Sequence, residues 1–164
     1  MQKIREKLAS RLRGARKIAI LGVGSDLRGD DAAGLIVGEC LARSLKTRKT
    51  KVFFGDTAPE NLTGEISKFK PSHLIIVDSA DFELKPGSIM VFDPEDIAGI
   101  SFSTHRLPLK LIADYLYGII KCKTVIIGLQ PKGLKFDSEV SASLKDSIRI
   151  LVAELREALK LVLK

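Results

Sequence analysis

Four apolar runs, residues 17–23 (KIAILGV), 51–54 (KVFF), 74–77 (LIIV) and 124–129 (TVIIGL), are nearly continuous rather than alternating. Strands buried on both faces by helices read this way. Between them lie stretches with apolar positions at helical spacing: residues 30–45, a stretch running through Ile66, residues 109–117, and a long one at 138–163. The last carries the stripe Leu144, Ile148, Leu151, Leu155, Leu159, Val162. Residues 88–92 (SIMVF) follow the turn Lys85-Pro86-Gly87. The link from Val77 is too short for a helical crossover, so this strand is expected to run antiparallel at an edge. The pattern predicts a single three-layer α/β/α domain. Its mostly parallel, twisted sheet has about five strands, with helices on both faces.

Ligands in such sheets bind beyond the carboxyl ends of the parallel strands. The polar residues that follow those ends are Ser25, Asp26, Asp30 and Asp31, then Asp56 and Thr57, then Asp78 and Asp81, and finally Gln130. His105 sits in the irregular stretch Ser101-Phe102-Ser103-Thr104-His105, before a helix.

Composition narrows the reading. The chain has 164 residues, 45% hydrophobic and 29% charged, enough to bury a core without a disulfide or metal staple. Cys40 and Cys122 are far apart and read as small buried hydrophobes. No apolar run approaches the ~20 residues of a membrane span, and no signal peptide is visible. The net charge of +7 is uneven: residues 1–17 hold seven Lys and Arg against Glu6 alone, a net of +6 that leaves +1 for the rest. With Ile4, Leu8, Leu12 and Ala15 at helical spacing, residues 1–16 predict a basic amphipathic helix packed on an α/β core of residues 17–164. Aromatics are 5% and Trp is absent, so no nucleic-acid-binding surface is expected.

Gly22-Val23-Gly24-Ser25-Asp26-Leu27-Arg28-Gly29 superficially suggests a dinucleotide loop. Leu27 occupies the place of the third glycine, and Asp30 and Asp31 would repel a phosphate at the helix start. The acidic pair favours a cation instead. Asp30 is expected to cap its own helix. Asp31, Asp78 and His105, brought from three loops to one sheet edge, form a plausible ligand set for a borderline divalent metal. Singly, each also has an ordinary structural reading as a cap, a turn former or a solvated imidazole.

The segment 22–34 resembles the G-x-G-N-x-L-x-x-D-D/E-G-x-G motif of the maturation endopeptidases of nickel-iron hydrogenases. The likeness is greatest to those processing the large subunit of formate-hydrogenlyase-type hydrogenases. Ala58-Pro59-Glu60-Asn61, Leu74-Ile75-Ile76-Val77-Asp78, Pro86-Gly87, Thr104-His105-Arg106-Leu107-Pro108-Leu109 and Gly128-Leu129-Gln130-Pro131 follow in family order. Ser25 stands where the family has Asn, Ala32 where it has Gly, and Phe54-Gly55-Asp56-Thr57 where it often has Asp-Gly-Gly-Thr/Ser. The resemblance implies an aspartic-type, cytoplasmic, monomeric peptide hydrolase that activates a hydrogenase. Its partner would be the large-subunit precursor, from which it removes a C-terminal peptide after nickel insertion. Asp31, Asp78 and His105 would bind nickel carried by that substrate, with Asp31 and Asp78 as catalytic residues. Either Asp activates water, or the nickel polarises the scissile carbonyl. No Ser/His/Asp or Cys/His set supports a covalent nucleophile. The alternatives are a Rossmann-like nucleotide or small-anion module, an interaction or RNA-contacting domain using the basic helix, and a peptidase with its own bound metal.

Overall fold

The computed structural model describes residues 2–97, 100–102 and 109–164. Five strands form one sheet, β1 (Ile18–Val23), β2 (Thr50–Asp56), β3 (His73–Asp81), β4 (Ile89–Phe92) and, after the two-residue β5 (Ser101–Phe102), β6 (Lys123–Leu129). Their order across the sheet is β2-β1-β3-β6-β4. All neighbours are parallel except β4 on β6 at the edge. Residue pairing aligns Gly22 with Val77 and Asp78 with Gly128, and β5 pairs antiparallel with the end of β3.

Side-chain alternation along β1 sorts the two cores. Ile18 and Ile20 face α1 (Gln2–Arg11), α2 (Ala33–Ser44) and α5 (Ala142–Val162), joining Leu8, Leu12, Val37, Leu41, Leu151 and Leu155. Ala19, Leu21 and Val23 face α3 (Thr63–Phe69) and α4 (Leu109–Ile120), joining Ile66, Ile112 and Leu116. The expected apolar stripe of α5 is buried from Leu144 to Leu159, with Val162 packed at its margin.

Element ends differ from the sequence reading for local reasons. Residues 29–32 form a 3₁₀ turn before α2. The N-terminal helix stops at Arg11, short of the expected residue 16, because Gly14 turns left-handed at φ +79°. The last helix starts at Ala142 rather than 138, since Ser141 is extended. The third strand runs four residues beyond Val77, because Ser79 still pairs with Leu129 and Ala80 with Phe102. Asp78 and Ser79 are therefore strand residues.

The basic N-terminal helix is a structural member. Leu8 and Leu12 are fully buried. Arg5 Nε and Nη2 donate to the two carboxylate oxygens of Glu154 on α5 at 3.0 and 3.1 Å. Arg11 Nε donates to Asp93 Oδ1 at 3.0 Å.

Candidate active site

From β1 the chain goes through α2 to β2 on one side, and from β2 it crosses back to β3 on the other. The connections thus diverge at the carboxyl ends of β1 and β3, where topology opens a crevice in such sheets. Two glycines let α2 approach that crevice. A side chain at Gly34 would collide with the carbonyls of Val23 and Val77, and one at Gly22 with the carbonyl of Gly34. The turn preceding α2 is thereby pressed against both strands.

The loop from β1 closes on Asp31. Gly24 adopts φ +139°, and a Cβ there would strike the Asp31 carbonyl. The Ser25 N–H donates to the Asp31 carbonyl at 3.2 Å and to Asp31 Oδ2 at 3.1 Å. Ser25 Oγ accepts the Leu27 N–H at 3.2 Å, so serine still organises this loop in place of the family's Asn. Ala32 is helical at φ −74°, ψ −8°, a conformation that does not require Gly. The Ser79 hydroxyl donates to Asp31 Oδ1 at 3.1 Å.

Asp31 and Asp78 are both fully buried. Burial, and secondarily the charge of Asp31, hold the Asp78 carboxyl well above the usual carboxylate range, while the Ser79 backbone N–H pulls the other way. Two buried carboxylates side by side suit a cation, whose charge offsets both burial and mutual repulsion. Among the described residues no group of three His, Cys, Asp or Glu is placed to hold a metal ion. His105 lies outside the described residues. The pair supplies hard oxygen donors, and a complete sphere needs further ligands from elsewhere.

The other candidates separate from this pair. Asp30 does not cap its own helix. It is 1% exposed, and its carboxylate accepts the N–H groups of Lys132 (2.7 Å), Gly133 (3.3 Å) and Ser141 (2.6 Å), and the Ser141 hydroxyl (2.8 Å). It therefore clamps the loop after β6 and the start of α5, partners too distant in sequence for a local capping rule to find. Gln130 is likewise structural: its Oε1 accepts the Phe82 N–H at 2.7 Å and its Nε2 donates to Asp81 at 3.1 Å. Asp26, Asp56 and Thr57 are exposed. Asp56 is left-handed at φ +48°, and its carbonyl accepts the Gly24 N–H at 2.8 Å, so the second loop braces the first. Cys122 is buried as expected, whereas Cys40 is only half-buried.

Comparison with known proteins agrees with this fold. The family model described as HycI, hydrogenase maturation protease, matches residues 35–159. The crystal structure of a [NiFe] hydrogenase maturation protease HycI from Thermococcus kodakarensis superposes with a TM-score of 0.87 at 34% identity, covering 94% of this chain and 99% of that one. A solution structure of the Escherichia coli endopeptidase HycI gives a TM-score of 0.73 at 32% identity, over 84% of this chain and 87% of that chain. Hydrogenase 3 maturation protease of E. coli is 34% identical over 83% of this chain and 86% of its own length. The chain belongs to the hydrogenase maturation protease family. It is a maturation endopeptidase, and among the described residues no helix is long and apolar enough to cross a membrane.

Proposed function

We propose that this endopeptidase removes the C-terminal peptide from the precursor of a nickel-iron hydrogenase large subunit once nickel is in place. Asp31, Asp78 and His105 engage the substrate-borne metal. The observation that carries this reading is the buried Asp31–Asp78 pair at the carboxyl edge, where burial and like charge make a cation the natural complement. Two carboxylates without a thiolate form a weak permanent cage for nickel. Ligands from the precursor would complete the sphere, so the metal itself becomes the element recognised.

Ser79 and Ser25 orient Asp31 by hydrogen bonds to its two oxygens. Asp31 or Asp78 takes the proton of the water that attacks the scissile carbonyl. The nickel, when present, supplies positive charge beside that carbonyl. In this reading the enzyme acts as a monomer in the cytoplasm.

The test is incubation with nickel-loaded and nickel-free precursor, following loss of the C-terminal peptide by mass. Cleavage of the loaded form alone is expected, and pre-treating the enzyme with a chelator should leave it active. An enzyme that stays inactive until its own metal is restored, and then cuts nickel-free precursor, would refute substrate-borne recognition.

A further inference from the structure

Four cations outside the N-terminal segment share one face of the last helix. Lys145, Arg149, Arg156 and Lys160 project from α5 beside two adjoining cavities of about 470 and 200 Å³ that share Arg156 in their linings. The larger is floored by Ile148, Val152 and Ala153 and reaches Cys40 of α2. The smaller is lined by Leu45, Leu159 and Leu163, and by Thr50, whose buried Oγ1 has no hydrogen-bond partner among the described residues. Among the described residues no carboxylate lines either cavity. Asp146 and Glu157 lie along α5 against Arg149 (3.6 Å) and Lys160 (2.9 Å), which remain 76% and 67% exposed. An apolar floor edged by cations, with an unsatisfied hydroxyl at one end, is complementary to a segment that is acidic along its flanks and apolar beneath.

The groove also has a position. It begins at Lys145, in the first turn of α5, four residues from Ser141, which Asp30 grips directly beside Asp31. From Lys145 to Lys160 it follows the helix for roughly 22 Å, at 1.5 Å per residue. We propose that this α2–α5 groove receives an acidic, apolar-striped segment of the large-subunit precursor while the C-terminal peptide enters the Asp31–Asp78 crevice. The inference rests on the proposed function above. It adds that the substrate is held by its body as well as by its metal.

The experiment uses nickel-loaded precursor and compares wild type with R149E/R156E and with R149K/R156K. Both positions are exposed, and unchanged melting curves would establish that the variants fold. The charge reversal is expected to raise KM at least tenfold with kcat within twofold, and to abolish the fall of kcat/KM with added salt. The lysine variant should match wild type. Wild-type KM and salt dependence in R149E/R156E would overturn the groove while leaving the proposed function standing. The same unchanged KM, with a wild-type dimer in sedimentation that the reversal dissociates, would assign the face to a second copy of the chain and equally overturn it. A wild type that cuts no precursor, loaded or not, would remove the functional reading and this inference together.

Discussion

Ser79 gives its hydroxyl hydrogen to Asp31 Oδ1 across 3.1 Å, joining the sheet's middle strand to the loop that leaves its neighbour. The two residues are 48 positions apart, and the bond exists because β3 continues past Asp78 to pair with β6. With the Ser25 N–H on Oδ2, it gives both Asp31 oxygens a donor. Asp31 is thus held in one orientation, facing the end of β3, before any substrate arrives.

Asp31→Asn, Asp78→Asn and His105→Ala should each abolish precursor processing, by at least a hundredfold, without lowering the melting temperature by more than a few degrees. Asp78→Asn should melt no lower than wild type, since it replaces a carboxyl whose ionised form burial and Asp31 disfavour. A cleavage assay beside thermal melts checks both halves. Processing at wild-type rate by any of the three would defeat its assigned role.

Asp30→Ala should behave oppositely to Asp31→Asn. It strips the partner from three backbone N–H groups and one hydroxyl, a loss of about 4 kcal/mol at roughly 1 kcal/mol per bond. Urea unfolding should show the midpoint falling, and hydrogen exchange should rise at Lys132, Gly133 and Ser141. Unaltered stability would contradict the clamp.

Cys122 and Cys40 should separate in their reactivity. Burial pushes the Cys122 thiol up to about 12, so little thiolate exists at pH 8 and the sulfur is inaccessible. Iodoacetamide should label half-buried Cys40 in the native protein and both residues after denaturation, as peptide mass mapping would reveal. Native labelling of Cys122 ahead of Cys40 would contradict the packing.

His73 should make the fold acid-sensitive. Burial first, then the charges of Lys123 and Arg16, lower its pKa below the ordinary 6.5. The unfolded chain therefore binds the proton more readily than the folded one. Stability contributed by the neutral ring is complete above about pH 6.5 and is lost as pH falls through the lower folded value. Replacing it in His73→Phe should flatten the stability profile below pH 6.5 relative to wild type. A parallel pair of profiles would show that His73 does not carry that slope.

Strand interiors were legible because Ile18–Val23 and Leu74–Val77 are short apolar runs without alternation, the pattern of strands covered on both faces. The ends were not. Whether β3 stops at Asp78 or at Asp81 depends on hydrogen bonds from β6 and β5, which local sequence does not encode. Asp31 and Asp78 were found by placing polar residues after strand ends, and the fold brings both to the β1–β3 crevice. The role of Asp30 was missed because its partners start at Lys132. The cationic groove is not legible in the sequence because Lys145, Arg149, Arg156 and Lys160 are interleaved along the chain with Asp146, Glu154 and Glu157. A linear charge count does not show that the four cations recur at helical spacing along one face.

The bidentate Arg5–Glu154 bond closes a loop of 149 residues. During synthesis, the first helix leaves the ribosome with its apolar stripe, Leu8 and Leu12, lacking the partner it will cover. That stripe stays exposed until the last helix is released. Contacts of such sequence separation are slow to form, so closing this face waits on the last helix. The cations that surround the stripe, Lys3, Arg5, Lys7, Arg11 and Arg13, keep that waiting segment soluble by mutual repulsion. Its strong charge therefore serves the chain before it is folded as well as after.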